Sequence, residues 1–379
     1  MPLKIKYKKP GTVDPRSSYP DQILLFLVLS LLSVGLVMVY SSSSVVSMHQ
    51  YNDSVFFVKK QAWRILIGLM VMTLFTYLDY RKLATISAPL CLLFTVLLVL
   101  VYVPGLGYSA GGAKRWIDVF FRIQPSEYFK IFYIIFLAYS LSQLSRVKNK
   151  FSNLVLPHLL FLAFVSALVL FQPDLSTALL IALIGFFMIF SLYSSPKVIF
   201  IVGALTSLTM VYQIWRTPYR LKRVIAFVNP SDHQLNSGYK LIQLKISLGS
   251  GGCMGLGLGQ SRQKYLYLPE EHTDFIFAIL GEEFGFLGAS IIILLFMILL
   301  VRGIRIAIRA PDSIGKLLAY GITGYITLQV LLNLMVVAGL IPPTGLPLPF
   351  LSYGGSAMIT NLLGVGILLN ISRYINPES

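Results

Sequence analysis

Cysteine is nearly absent from this chain. Two in 379 residues, Cys91 in an apolar run and Cys253 in a glycine-rich stretch, give neither a disulfide framework nor the spacing of a metal cluster. Acidic side chains are also scarce, 15 against 31 basic ones, and all charged residues together make up only 12% of the sequence. So little charge excludes a water-soluble domain of this length, whose surface would need far more. No Walker loop occurs, and no glycine fingerprint follows a strand in a βαβ unit, so neither a nucleotide cofactor nor a nucleic-acid partner is expected. The alternating pattern of a membrane β-barrel is missing as well.

What is present is long apolar segments. The sequence is 56% hydrophobic, with a mean hydropathy of +0.76. About 20 apolar residues in a helix cross a bilayer's hydrocarbon core, and ten stretches qualify: Ile23–Tyr40, Ala62–Leu78, Ile86–Val103, Ser126–Gln143, Leu154–Leu170, Leu175–Leu192, Val198–Trp215, Phe275–Leu300, Leu317–Leu340 and Tyr353–Ser372. Each must be helical, because unpaired backbone cannot face lipid. The expected fold is therefore an all-α polytopic membrane protein of ten transmembrane helices. A basic tail (residues 1–22) without a cleavage site precedes the membrane domain (residues 23–374), and a short tail (residues 375–379) follows it. With the N-terminus inside, every inner loop carries lysine or arginine, as the positive-inside rule requires, and the C-terminus returns to the cytoplasm. One large outer loop, residues 216–273, results.

Five of the 15 acids fall between Glu270 and Glu283, around Pro269-Glu-Glu-His-Thr-Asp274. The preceding outer loop holds Arg216, Arg220, Lys222, Arg223, Lys240, Lys245, Arg262 and Lys264. A solvated basic loop is the plain reading, since long loops escape the charge rule. The functional one is an anion site: Arg216, Arg220 and Arg223, spaced i, i+4, i+7, would share a helical face and offer paired hydrogen bonds to phosphate. Within the same loop, Gly249–Gly259 carries six glycines, which permit a tight turn and a close backbone approach to a ligand or a helix end.

A second outer loop, Pro104–Pro125, brings Lys114, Arg115 and Trp116; the indole serves either as an interfacial anchor or as a stacking surface for a sugar. Glu127 suits a first helical turn and can pair with Lys130 one turn on; an ionisable pair inside a span is by default functional. Asp174, before Leu-Ser-Thr, has the look of a helix cap. The proline-rich run Ile341–Ser356, which includes Ser352, is expected to cap the outer cavity or to form a re-entrant turn. His272 is the one histidine among acids.

Several of these motifs, in this order, resemble the SEDS (shape, elongation, division and sporulation) family: Lys114-Arg-Trp, Gln124-Pro-Ser-Glu127, Gln172-Pro-Asp174, Leu268-Pro-Glu-Glu-His-Thr-Asp-Phe-Ile-Phe-Ala278, Gly281-Glu-Glu-Phe-Gly285 and Pro349-Phe-Leu-Ser-Tyr-Gly-Gly-Ser356. The resemblance runs from about Asp21 to Tyr374. Gly35–Ser41 and Gly257–Lys264 make it closer to the division branch than to the elongation branch. It implies a peptidoglycan glycosyltransferase of the cytoplasmic (inner) membrane that polymerises lipid II at the outer face during septal wall synthesis. It also implies a class B penicillin-binding transpeptidase and other divisome membrane proteins as partners. Asp274 is then the expected general base, with a divalent cation (Mg2+ or Mn2+) as the alternative use of its carboxylate. Lys114, Arg115, Trp116, Glu127, Lys130, Arg216, Arg220, Arg223, Glu271, His272 and Ser352 are the expected substrate contacts. The competing readings are a lipid II flippase, with Glu127, Lys130 and Glu282 lining its path, and a scaffold, which would leave the acidic cluster unexplained.

Overall fold

The computed structural model describes residues 19–110, 113–118, 122–143, 155–192, 196–230, 237–264 and 273–375. Among the described residues the chain is mainly helical, and a helix covers each of the ten apolar runs. In chain order the helices are α1 (Gln22–Tyr51), α2 (Phe56–Tyr77), α3 (Tyr80–Thr85), α4 (Ser87–Leu100), α5 (Pro125–Ser142), α6 (Leu156–Phe171), α7 (Leu175–Leu192), α8 (Pro196–Arg216), α9 (Pro218–Val228), α10 (Ser237–Ser250), α11 (Ile276–Arg309), α12 (Ser313–Val337) and α13 (Ser356–Ser372). Three of them, α1, α11 and α12, are long and apolar enough by themselves to cross a membrane; α4, α6, α7 and α13 are shorter apolar helices. The middle of the bundle is α5, α12 and α13, whose residues are mostly buried, while α2, α4 and α8 present apolar side chains outward.

The structure departs from the sequence reading in five places. The loop after α4 is not plain coil: β1 (Gly107–Ala110), β2 (Ala113–Asp118) and β3 (Arg122–Ile123) form a small antiparallel sheet, so the fold is helical with a β appendage and not all-α. Helix α1 runs eleven residues beyond Tyr40. Its serines sustain it, because Ser42 and Ser43 return their hydroxyls to the carbonyls of Met38 (2.8 Å) and Val39 (2.6 Å). Two helices, α9 and α10, occupy much of the large outer loop. Arg216 closes α8 while Arg220 and Arg223 ride on α9, because Thr217 precedes a proline and is extended (φ −109°, ψ 106°); the three arginines do not share one face.

The fifth departure lies in α11. Gly285 has φ 65° and ψ −164°, a conformation open only to glycine, and the helix is broken there. The glycine-rich loop after α10 repairs the break. Leu256 N and Gly257 N donate to the carbonyls of Glu282 and Glu283 at 3.0 Å each, and Phe286 N and Leu287 N donate to Gly252 O (2.9 Å) and Cys253 O (3.2 Å). A Cβ on Gly255 would overlap the Glu283 carbonyl, and one on Gly285 would overlap the backbone of Cys253 and Gly255. The glycines serve a close approach to an interrupted helix.

Candidate functional site

The proline-rich loop between α12 and α13 organises the outer end of the bundle. Its prolines bar regular helix, so its carbonyls need partners from elsewhere. Two carboxamides one turn apart on α12 supply them. Gln329 Nε2 donates to Pro347 O at 2.8 Å, and Asn333 Nδ2 donates to Leu346 O at 2.8 Å. Asn333 Nδ2 also donates to the carbonyl of Asp274, again at 2.8 Å. One amide group thus fastens Asp274 to the loop. The Asp274 carboxylate faces Gly345: a Cβ there would stand 3.6 Å from Oδ2. Arg223 reaches the same loop from α9, with Nη1 donating to Pro343 O at 3.3 Å.

The loop is pinned on its other side by α2. Gln61, buried, donates to Ser352 O (3.2 Å) and accepts from Gly354 N (3.3 Å). Arg64 lies over the Tyr353 ring, 4.5 Å from its centroid. Ser352 is buried and its hydroxyl accepts from Leu348 N at 2.8 Å, which places it in the loop's internal bonding. Ser356 Oγ accepts from Gln124 N at 3.1 Å, linking the loop's end to the start of α5. Against α1 the loop lies so close that a Cβ on Gly35 would meet Phe350 O at 2.5 Å.

Asp274 begins one residue before α11's cap, and the first turns of that helix are buried throughout. Glu282 and Glu283 point to opposite tasks there. Glu282 accepts from Ser261 Oγ (2.5 Å) and Arg262 N (3.0 Å), so it holds the chain that leads into the acidic motif. Glu283 accepts from Ser41 Oγ on α1 at 2.5 Å.

Below the loop, Glu127 and Lys130 form a buried ion pair at 2.8 Å, with Lys130 Nζ 5.2 Å from the centroid of the Tyr325 ring. Glu127 Oε2 and the Tyr325 hydroxyl have no hydrogen-bond partner among the described residues. Burying an acceptor without a partner is costly, so Glu127 Oε2 is a polar group that the packing of the bundle leaves unused.

A second charged group joins β2, α7 and α9. Asp174 caps α7 by accepting from Thr177 N (3.1 Å) and Thr177 Oγ1 (2.9 Å), as its position predicts. Arg115 approaches it at 3.5 Å and donates to Pro173 O at 3.0 Å. Arg220 donates to Leu170 O (3.4 Å) and Gln213 Oε1 (3.3 Å); partial burial pulls its guanidinium below the ordinary arginine range, with Asp174 opposing that shift and Arg115 adding to it. Two arginines over one carboxylate leave an excess positive charge. Lys114 and Arg216 are exposed, and Trp116 is half-buried opposite Tyr108 in the sheet.

The structure therefore gathers Asp274 and Arg223 on one loop, and Arg115, Asp174 and Arg220 in one cluster joined to it through α9. Glu271 and His272, with Glu270, lie outside the described residues. Among the described residues no group of three or more His, Cys, Asp or Glu could hold a metal ion. Sequence reasoning passed over Gln61, Gln329 and Asn333. The signal was there: a carboxamide inside an apolar span needs a partner, and each of these finds one in irregular backbone.

The family model described as "cell cycle protein", which groups FtsW, RodA and SpoVE, matches residues 22–376. Stage V sporulation protein E of Bacillus subtilis is 44% identical over 362 residues, covering 95% of this chain and 98% of that protein. A protein of Geobacter sulfurreducens named probable peptidoglycan glycosyltransferase FtsW is 40% identical over 356 residues, 94% of this chain and 95% of its own. Among solved structures, a chain from a peptidoglycan synthase complex, described as coordinating polymerization and crosslinking, superposes with a TM-score of 0.77 at 28% identity, covering 94% of this chain and 99% of that one. The rod-shape-determining protein RodA of Thermus thermophilus gives a TM-score of 0.66 at 28% identity, with 93% and 97% covered.

Proposed function

The chain belongs to the FtsW, RodA and SpoVE family of cell cycle proteins, and we infer from that membership that it is a peptidoglycan glycosyltransferase acting in cell division. Its substrate is lipid II, a disaccharide pentapeptide on undecaprenyl diphosphate, which it polymerises into β-1,4 glycan at the outer face of the cytoplasmic membrane. All ten apolar helices cross the bilayer, both termini lie inside, and the proline-rich loop and Asp274 lie outside. The protein works at the septum with a class B transpeptidase and other divisome membrane proteins.

The observation that carries the chemical reading is Asp274 and Arg223 both tied to one loop, Asp274 through Asn333 and Arg223 through the Pro343 carbonyl. A carboxylate held in place can take the proton of an acceptor sugar's 4-hydroxyl as that oxygen attacks C1 of the donor sugar. Attack from the face opposite the diphosphate inverts the α-linkage to β. The departing diphosphate collects negative charge, which Arg223, Arg220, Arg115, Arg216 and Lys114 offset. Trp116 supplies a flat apolar face for a sugar, and Glu271 and His272 flank the base in sequence. The Glu127–Lys130 pair forms the cavity floor. A Mg2+ or Mn2+ ion would use Asp274 and the diphosphate oxygens. Among the described residues no cluster of three or more His, Cys, Asp or Glu would hold it, and no step of the proposed reaction passes through a metal.

The test is polymerisation of labelled lipid II by the purified protein with its transpeptidase, native against Asp274→Ala, with moenomycin present to silence class A synthases. Glycan strands from the native protein alone support the assignment. Full activity of the variant removes Asp274 from the base role. Absence of strands from both, with lipid II translocation in vesicles, would replace the enzyme by the flippase.

A further inference from the structure

The glycine-rich loop at the break of α11 is polar in composition only through its backbone. Its side chains are Met254, Leu256 and Leu258 at alternate positions, and all three are exposed: 77%, 38% and 55%. In water, three exposed apolar side chains in a row of glycines would be stabilised by nothing. The surface beside them explains their exposure. Phe286, Leu287, Ile291 and Leu294 follow directly on α11 and are themselves well exposed, and the loop's carbonyls accept from the amides of Phe286 and Leu287. Met254, Leu256 and Leu258 therefore continue the lipid-facing surface of α11 upward without interruption.

The height of the loop agrees. Arg302, Arg305 and Arg309 end α11 on the cytoplasmic side, where Arg302 lies 3.8 Å from Asp21. Gly285 is seventeen residues from Arg302, about 26 Å along a helix, which falls just inside a hydrocarbon core of about 30 Å. Hydrocarbon also demands that backbone groups be paired within the protein. The loop complies at many points: Gly255 N donates to Gly251 O, Leu256 N and Gly257 N to the free end of the upper half-helix, Gln260 N to Gly257 O, and Gly252 O and Cys253 O accept from the lower half.

We propose that residues 252–258 form a re-entrant tip seated among the acyl chains of the outer leaflet, with Met254, Leu256 and Leu258 as its lipid anchors. The outer location rests on the orientation given above; insertion into hydrocarbon does not. The tip also sets the height of the site. Ser261 and Arg262, three residues past the last anchor, are held by Glu282, and the acidic motif follows. An anchor at a fixed depth keeps Ser261, Arg262 and, through Glu282, the buried first turns of α11 at the level of a lipid-linked headgroup.

The experiment is spin-label accessibility in phospholipid nanodiscs. Nitroxide is attached to native Cys253 in a Cys91→Ala background, and to single cysteines at Met254→Cys, Leu256→Cys and Leu258→Cys with Cys253→Ala added. Ile291→Cys serves as the hydrocarbon reference and Asp118→Cys as the aqueous one. Labels at 254, 256 and 258 more accessible to oxygen than to a water-soluble nickel chelate, as at 291, are the expected result; Cys253, between two backbone contacts, should read at the same depth. Nickel accessibility matching position 118 would overturn the proposal. If position 291 also reads as aqueous, the membrane span itself is wrong and the proposal falls with it. Lipid II polymerisation by each labelled protein is measured separately, so a loss of the enzymatic reading is not mistaken for a loss of insertion.

Discussion

The side-chain amide of Asn333 donates to two carbonyls at once, that of Asp274 and that of Leu346, each at 2.8 Å. The consequence is that the placement of Asp274 and of the proline-rich loop is a single variable. Asn333→Leu keeps the volume and removes both donors, leaving two buried carbonyls unpaired at about 1–3 kcal/mol each. Turnover of lipid II should drop at least ten-fold, because both Asp274 and the loop that Arg223 meets lose a fastening. Steady-state polymerisation with circular dichroism of the same sample checks this; unchanged kcat would show that Asp274 holds its place without Asn333.

Glu127 and Lys130 should behave as a unit. Lys130→Met leaves a buried carboxylate without its counter-ion, a loss of roughly 3–5 kcal/mol, and the detergent-solubilised protein should melt well below the native one. Adding Glu127→Gln should recover most of that stability. Glycan synthesis should not recover with it if the pair forms the cavity floor. Thermal unfolding and polymerisation on the two single variants and the double one complete the cycle.

Gly285→Ala should be severe for a substitution that removes no charge and no hydrogen-bonding side chain. Its backbone conformation strains any other residue by about 1–3 kcal/mol, and the added methyl overlaps Cys253 and Gly255. Loss of polymerisation with increased proteolysis between residues 251 and 262 is the expected outcome. Gly203→Ala, where nothing lies within 4 Å of the added carbon, should be silent in both assays and serves as the control.

Orientation can be checked without activity. In a cysteine-free background, Asp118→Cys in the sheet should react with a membrane-impermeant maleimide in intact spheroplasts, and Lys82→Cys on α3 only after lysis. Both positions are exposed. The reverse pattern would turn the molecule over and place Asp274 in the cytoplasm.

The helices were legible because a run of about 20 apolar residues has few other fates. Their interruptions were not. Gly285 sits in an apolar run that reads as continuous from Phe275 to Leu300, and glycine alone does not mark a break; the signal needed was the six glycines of the loop that packs against it. The sheet at 107–123 was hidden by its shortness, since strands of two to six residues carry little periodicity. The separation of Arg216 from Arg220 could have been read from Thr217-Pro218. Within the site, the charged residues announced themselves as charges among apolar neighbours. The carboxamides that hold them did not, because Gln61, Gln329 and Asn333 bond to backbone, and backbone partners leave no mark in a side-chain pattern.

The proline-rich loop touches α1 at Gly35, α2 at Gln61, α5 at Gln124, α9 at Arg223 and α12 at Asn333. It is translated only after all of those helices. A ribosome delivering this chain to the membrane thus inserts Asp274 and Arg223 well before the segment to which both are tied. Until the loop emerges, Asn333 can reach the Asp274 carbonyl but has no Leu346 carbonyl to tie it to, and Arg223 has no Pro343 carbonyl to meet. A chain stopped before the loop therefore lacks the one segment that ties α1, α2, α5, α9 and α12 together at this end of the bundle.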